Sequence, residues 1–348
     1  GMDLHYSNPT LTHVTISENT AIAGGGMNIH RSDPILTNVT ISENTASWGG
    51  GIYLINSAPI LSYVTISGNT AVENSGGGIG TSAFSINSLC NLTLIHVTIS
   101  GNTAGTVGGM FLNGCDATLT NVTISENTAI TGSGGGTWLY NSNSTFTNVT
   151  ISGNTANANA DEASGVMKLI GSNVIFTNSI IWGNSPEEIY FNNPNFADPS
   201  TITINYSDIQ GGEEGINTND NGEVYWLEGN IDANPLFTDP DNGDLTLQEG
   251  SPCIDSGDPN LWFEGMDGTT GDMGVTGGLF VVPNFISHDF GEVGDNGSVK
   301  QFSLYNGRET AITISSVSFN TSSFTTNTSF PITIDPLQSG IINIEVNN

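Results

Sequence analysis

The sequence predicts an all-β molecule, a right-handed parallel β-helix solenoid followed by a small β-sandwich, and three observations carry that expectation. The octapeptide Val-Thr-Ile-Ser-(Glu or Gly)-Asn-Thr-Ala recurs from Val14, Val39, Val64, Val97, Val122 and Val149. Glycine runs follow the copies at a constant place, as Gly24 to Gly26, Gly49 to Gly51, Gly76 to Gly78, Gly108 with Gly109, and Gly134 to Gly136. After Gly277 the repeat is gone, and short alternating apolar runs separated by turn residues take over.

Each part of the repeat has a physical reading. Two weaker copies continue the series at Ser179 and Tyr206, so the intervals are 25, 25, 33, 25, 27, 30 and 27 residues. Such periods mark a solenoid, whose units bury their apolar faces only by stacking. Within a copy, Val14 and Ile16 alternate with Thr15 and Ser17, a period of two that sends the aliphatic pair inward and the hydroxyls outward. Leu11, Leu36, Leu61, Leu94, Leu119, Phe146 and Phe176 each stand three residues ahead of a copy and extend the inward ladder. The glycines suit a sharp turn at positive φ, after which a second short strand resumes, as in Ile52-Tyr53-Leu54. No helical periodicity appears in the first 230 residues. Coils of this kind stack as a right-handed parallel β-helix with about 4.7–4.9 Å between strands.

The Asn of each copy, Asn19, Asn44, Asn69, Asn102, Asn127, Asn154 and Asn184, then stacks at one corner as an amide ladder. Asn38, Asn121 and Asn148 open Asn-Val-Thr tripeptides, the acceptor pattern for N-glycosylation, but the repeat itself dictates those residues. The 33-residue interval before Val97 carries an insertion around Thr81 to Leu89 that should bulge as a loop. Cys90 and Cys115 each precede their copy by seven residues and so share a lateral position on adjacent coils. Their Cα atoms should lie roughly 5 Å apart, inside the disulfide window, although side chains in parallel register do not point at each other. A disulfide and two stacked thiols are both open readings. Cys253 reads as a buried small apolar residue.

The 348 residues are enough for two domains, and they carry 34 acidic residues against four basic ones, for a formal charge of −30. That balance excludes nucleic acid as a partner and argues against an anionic membrane surface. It suits solubility in salt or a cation-binding surface. No apolar run approaches the length of a membrane-spanning helix, so membrane insertion is not expected. Gly1 sits 13 residues ahead of Val14, the offset of Gly26 from Val39. It reads as the third glycine of a triplet, with the expectation that further coils and a secretion signal precede it.

From about Ser179 the repeat degrades and Asp, Asn, Gly and Pro increase. A closing segment from about residue 231 runs through Asn-Pro-Leu-Phe-Thr-Asp-Pro-Asp-Asn-Gly-Asp and Ser-Pro-Cys-Ile-Asp-Ser-Gly-Asp-Pro to Gly-Asp-Met-Gly. This resembles the segment that ends the solenoid in secreted bacterial β-helix repeat proteins. The repeats, with Ile-Ser-Glu-Asn-Thr-Ala and then Gly-Gly-Gly-Met or Gly-Gly-Gly-Ile, resemble those of polymorphic outer membrane proteins, with Ile16, Ile41 and Ile66 in place of that family's Phe. The tail from residue 278 has Asp289-Phe290-Gly291-Glu292-Val293 and Asn306-Gly307. It resembles the immunoglobulin-like modules that follow bacterial surface repeats, here stopping short by a strand or two and leaving an open sheet edge. The expected domains are therefore 1–277 and 278–348. The resemblances imply an address outside the cell or on the surface of a bacterium or archaeon.

The chemistry the residues support is limited. A polysaccharide lyase needs Lys or Arg beside the substrate carboxylate, usually near Ca²⁺. Only Arg31 and Lys168 fall on the coils, five coil steps or roughly 24 Å apart. A hydrolase needs two carboxylates about 5–9.5 Å apart; Glu18 and Glu43 on adjacent coils meet that spacing, with Glu126 by itself further on, but Gly68, Gly101 and Gly153 take the same position elsewhere, and the pattern reads as a solvated turn. His5, His13, His30, His96 and His288 show no metal spacing. Three features point to binding. Tyr53, Phe111 and Trp138 are outward aromatics that can lie against sugar rings. Asp239, Asp241 and Asp244 alternate around a turn as in a Ca²⁺ loop. Thr15-x-Ser17 and its copies form a hydroxyl ladder that resembles the arrays of β-helical ice-binding proteins. The reading is a non-enzymatic surface stalk, adhesin or assembling, filament-forming component, with cell-surface glycans or copies of itself as partners and Ca²⁺ as the candidate cofactor. The alternative is a polysaccharide-binding or polysaccharide-degrading protein whose active coils lie outside this sequence.

Overall fold

The computed structural model describes residues 1–73, 75–82, 90–157, 165–192, 198–260, 263, 269–277, 281–283, 298–306, 311–336 and 338–346. They form two compact units, Gly1–Gly278 and Leu279–Asn348. The first is an all-β right-handed parallel solenoid. Two of its faces are nine-stranded parallel sheets, a third has eight strands and a fourth has five. Helix is confined, among the described residues, to short 3₁₀ turns such as Glu213–Gly215 and Pro240–Asn242.

The register follows the repeat. On the Thr-Ile-Ser face, Thr15–Ser17 pairs with Thr40–Ser42, which pairs with Thr65–Ser67 and so on to Ile180–Trp182. Ile41, Ile66, Ile99, Ile124 and Ile151 all point inward and are fully buried. The Leu ladder three residues upstream is buried with them and ends in stacked Phe146 and Phe176, centroids 4.6 Å apart. The first of the weaker copies keeps register from Ser179. The second begins at Ser207 rather than Tyr206, because Ile180 pairs with Asp208 and Ile181 with Ile209. One residue of slip would have put Ile209 outside and Asp208 in the core, so the apolar pattern decides the register.

Each coil turns its corners on residues in the left-handed region. Asn38, Asn121 and Asn148 stand at φ near 50° on one corner, and Glu18, Glu43, Gly68, Gly101, Glu126 and Gly153 succeed one another on the next. Asn tolerates that region better than most residues, which accounts for the recurring Asn-Val-Thr tripeptides. In the glycine triplet only the first residue, such as Gly49 at φ 58°, needs positive φ. Gly50 and Gly51 are glycines for want of room: a Cβ on Gly51 would lie 2.6 Å from the Gly78 carbonyl oxygen of the next coil.

The amide ladder runs as expected. The Asn69 backbone N–H and Nδ2 both donate to Asn102 Oδ1 at 2.9 Å, and Asn102 Nδ2 donates to the Ile66 carbonyl and to Asn127 Oδ1. It ends at Glu188, whose carboxylate accepts from the Asn184 backbone N–H and Nδ2. Burial pushes the Glu188 carboxyl up while those hydrogen bonds pull it down.

The second unit has a four-stranded antiparallel sheet ordered Val281–Pro283, Ser298–Asn306, Ser339–Val346, Phe324–Thr325, and a hairpin of Ile312–Ile314 with Ile332–Ile334. Leu304, Ile334 and Ile342 form its core, joining the two sheets. The strand Ser339–Val346 is flanked on both sides, by Ser298–Asn306 and, at its end, by Phe324–Thr325. The Asp289-to-Val293 signature and Gly307 lie outside the described residues, as does the insertion from 83 to 89.

Candidate functional site

The coil register assembles a row along the face that follows the glycine turns. Asp3, Asn28, Tyr53, Gly80, Phe111, Trp138, Lys168, Tyr190 and Asn217 occupy successive rungs. Tyr53 is thus separated from Phe111 by the rung of Gly80, while Phe111 and Trp138 are neighbours with centroids 5.6 Å apart in an edge-on arrangement. All three aromatics are half-buried rather than exposed. The reason is the glycine turn of the same coil, which folds beside the strand: a Cβ on Gly49 would lie 2.8 Å from Tyr53 Cβ, and one on Gly134 3.1 Å from Trp138 Cβ. The Lys168 ammonium sits 4.4 Å from the Trp138 ring centroid and donates to Ser133 Oγ at 3.3 Å. This cation–π contact occupies the Trp138 face that would otherwise meet a sugar ring. The Trp138 Nε1–H is buried and meets no acceptor among the described residues.

The closing segment makes a second site that the sequence did not announce. It folds back along the Thr-Ile-Ser face. Asn148 Nδ2 donates to the carbonyls of Asp272 and Gly277, the Val275 backbone N–H donates to Thr150 Oγ1, and the Gly274 N–H donates to the Asn178 carbonyl. Phe237, Leu245, Cys253 and Met273 pack on Ile180, with Trp182 beside them. Ile180 and Trp182 stand where earlier rungs carry Thr150 and Ser152. The degraded repeat is therefore an adapted one, its outward hydroxyls replaced by apolar side chains that receive the closing segment. The hydroxyl ladder is consequently no open plane: Thr150 is 1 % exposed, while Thr15 and Ser17 on the first rung face solvent.

The hairpin Phe237–Leu247 arches over this face and leaves a groove on each side. The larger, about 450 Å³, is lined by Ser125, Glu126, Ser152, Trp182, Asp241 and Gln248 among others. The smaller, about 400 Å³, runs over Thr98, Ser100 and Thr123. Both are bounded by Ser125, Glu126, Gly243 and Leu245. Glu126 is thus a turn residue, as expected, and also a wall of both grooves. The signal that could have found it is the pair Ile180 and Trp182 at the outward positions, apolar side chains that need a cover.

The turn carboxylates do not gather around one point. Asp239 accepts from Asn242 Nδ2 at 2.8 Å, and Asp244 accepts from the Thr246 backbone N–H and hydroxyl, which hold its carboxyl below the usual range. Asp241 faces the larger groove. Among the described residues no group of three His, Cys, Asp or Glu is placed to hold a metal ion; the alternating acids serve the hairpin turn. Cys90 and Cys115 are joined by a disulfide, with Cα atoms 4.6 Å apart. Cys253 is buried, and its thiol donates to Asp208 Oδ2 at 3.1 Å. Burial and the facing Asp208 push that thiol up, and burial pushes the Asp208 carboxyl up to about 6. His5 and His30, one repeat apart, meet at 2.7 Å between ring nitrogens. Among the described residues no helix is long and apolar enough to cross a membrane.

Against known proteins, the family described as right handed beta helix region matches residues 1–121 and, overlapping, residues 82–251. No curated protein and no solved structure matches the chain. The two family matches span most of the chain and cover the nine-rung solenoid and the first part of its closing segment, and the chain belongs to the right-handed β-helix family.

Proposed function

We infer that this chain is a non-enzymatic extracellular surface protein, a stiff β-helical rod that serves as a stalk or adhesin on a bacterial or archaeal cell. The family contains both surface proteins and polysaccharide-active enzymes, so the reading rests on the site and not on the fold. The observation that carries it is the placement of the two coil cations. The Arg31 backbone N–H donates to the Ile55 carbonyl of the next coil and its guanidinium stands 5.5 Å from the Tyr6 ring centroid, whereas Lys168 lies among Trp138, Ser133 and Tyr190. Five rungs, roughly 24 Å, separate them, and the Lys168 ammonium is already engaged by an indole face. At that separation the two cannot act together on one acidic sugar, one to neutralise its carboxylate and the other to abstract its proton. The C-terminal unit, with two sheets on one small core, fits an immunoglobulin-like sandwich appended to the rod.

The test is incubation of the purified chain with polygalacturonate and alginate in millimolar Ca²⁺. No unsaturated, ultraviolet-absorbing product is expected. Product that disappears in Lys168→Ala would replace this reading with a lyase.

A further inference from the structure

We propose that His5 and His30 form a binding site for one divalent transition-metal ion, of the kind Cu²⁺ fills best, between the first two rungs of the solenoid. The site is independent of the surface-protein reading and belongs to a different sheet from the one the closing segment covers. In sequence the two histidines are 25 residues apart, a spacing outside the short metal motifs, and the coil makes them neighbours.

Strands Met2–His5 and Met27–His30 pair in parallel with His5 opposite His30, so the two side chains leave backbones about 4.8 Å apart in one outward column. Their rings stand 88° apart, and His5 Nε2 lies 2.7 Å from His30 Nδ1. Imidazole nitrogens bind such ions at about 2.0–2.1 Å, which sets two of them about 2.9 Å apart at a right angle on the metal and about 3.4 Å apart at the tetrahedral angle. The pair is thus within about 0.2 Å of the right-angled spacing, the arrangement of tetragonal Cu²⁺, which also binds most strongly among the first-row divalent ions. Without metal one nitrogen donates a proton to the other. With metal both lone pairs meet the ion and each ring keeps its single proton on the far nitrogen, His5 on Nδ1 and His30 on Nε2, so a neutral pair changes only tautomers. Ligation needs neutral rings, and burial, His5 and Arg31 hold His30 below the ordinary histidine range, with Asp3 opposing them. The Arg31 guanidinium is itself engaged by Tyr6, lying 5.5 Å from its ring centroid and donating to its hydroxyl. Asp3, two residues before His5 on its strand, brings a carboxylate to the pair and accepts from Asn28 Nδ2 at 2.9 Å. His5 is exposed and His30 half-buried, so an ion reaches them from solvent. No third His, Cys, Asp or Glu completes a closed set among the described residues, so the ion keeps water on its other positions and exchanges. The next rung carries Ile55 in this column, which confines the site to two rungs.

The experiment is titration of the full chain with CuCl₂ in a weakly coordinating buffer at slightly alkaline pH, followed by calorimetry and by electron paramagnetic resonance. One Cu²⁺ per chain should bind, show the hyperfine pattern of two equatorial nitrogens, and raise the melting temperature by mass action. His5→Gln and His30→Gln should each weaken binding at least tenfold and leave the metal-free melting temperature unchanged. The double variant should be little worse than either single one, because one imidazole alone makes no chelate. His13→Gln should change nothing. Binding should fade below about pH 6, where the rings take up protons, and Ca²⁺, which takes oxygen donors, should not compete. Uptake that persists in both single variants overturns the proposal and leaves only adventitious binding at exposed side chains. So does a signal from one nitrogen or none in the unsubstituted chain, or equal weakening by His13→Gln. None of these outcomes bears on whether the chain cleaves acidic glycans, so the proposal and the surface-protein reading fail separately.

Discussion

The Asn102 side chain meets four polar groups at once. Its Nδ2 reaches the Ile66 carbonyl and Asn127 Oδ1, and its Oδ1 receives both the backbone N–H and the side-chain amide of Asn69, all in a site closed to solvent. Asn102→Ala strands those partners in the interior, and at about 1–3 kcal/mol for each buried unpaired group the loss should reach about 3 kcal/mol or more. Asn19→Ala, on the half-exposed first rung, should cost about 1 kcal/mol because water replaces what is lost. Urea titration of both variants checks the ratio; equal losses would mean that the ladder is not a buried network. Two titrating groups oppose each other at the same scale. Burial raises Asp208 to about 6, so between roughly pH 4 and 6 the native state holds a proton that the unfolded chain releases, and stability rises as pH falls. Burial lowers His96 to about 4, where it stacks on Tyr63 with centroids 4.6 Å apart, so below pH 6.5 the unfolded chain takes the extra proton and stability falls as pH falls. Each effect is worth at most about 3 kcal/mol. Asp208→Asn should therefore steepen the loss of stability from pH 7 to pH 4, and His96→Gln should reduce it. Melting curves of the two variants that change with pH in the same direction as each other would refute the assignment.

The strands and the closing segment differ in how far their roles could be read from sequence. The repeat declares its own register wherever the octapeptide is intact, because Ile at the third place of each copy with Thr and Ser on either side leaves one way to bury the aliphatic row. At Tyr206 that information runs out: either of two adjacent residues could head the copy, and only the stacking of Ile209 on Ile181 decides for Ser207. The path of the closing segment was illegible for another reason. Its contacts are scattered hydrogen bonds between positions far apart in sequence, such as Val275 to Thr150, and one small apolar cluster on Ile180, and no periodicity encodes them. The half-burial of Tyr53 and Trp138 was hidden too, since the glycine turn that covers them is made of residues without side chains. The segment's own small core makes a test possible. Phe237→Ala removes the aromatic side chain that seats the hairpin against Ile180, a change that typically costs about 3–5 kcal/mol where the site cannot collapse. Because nine-stranded ladders hold the solenoid by themselves, the variant should expose residues 231–277 to protease and leave the coils protected. Simultaneous loss of both would show that the closing segment and the rod fold as one cooperative unit. The disulfide offers a second test. It closes a loop across 25 residues, worth about 3–4 kcal/mol on a chain-entropy argument, so reduction should lower stability by that order. Reduction without effect would favour the pair of stacked thiols.

Across the whole molecule the dominant unbalanced quantity is charge, and it is unevenly spread. Of the 34 acidic residues, 19 fall between Glu187 and Asp272, a stretch with no lysine or arginine, whereas the four basic residues are Arg31, Lys168, Lys300 and Arg308. The early coils carry few charges and are held by apolar ladders and the amide column. The late coils and closing segment must hold their fold against mutual repulsion of surface carboxylates. In a solenoid each rung rests only on its neighbours, so stability sums locally and a weak end can open without the rest. Screening is strong once the Debye length drops to about 10 Å or less, near 0.1 M salt. Raising NaCl from about 20 mM to 0.5 M should therefore raise the unfolding midpoint, and the gain should be confined in space. Amide exchange should slow most in the rungs Glu187–Phe191 and Ser200–Asn205 and in the hairpin that packs on Ile180, and least in the Thr-Ile-Ser strands before Ser100. Uniform slowing along the rod would assign the salt effect to general exclusion from apolar surface rather than to carboxylate repulsion. Faster exchange at the acidic end in salt would mean that its charges are arranged to attract, and would reverse the argument for that end of the molecule.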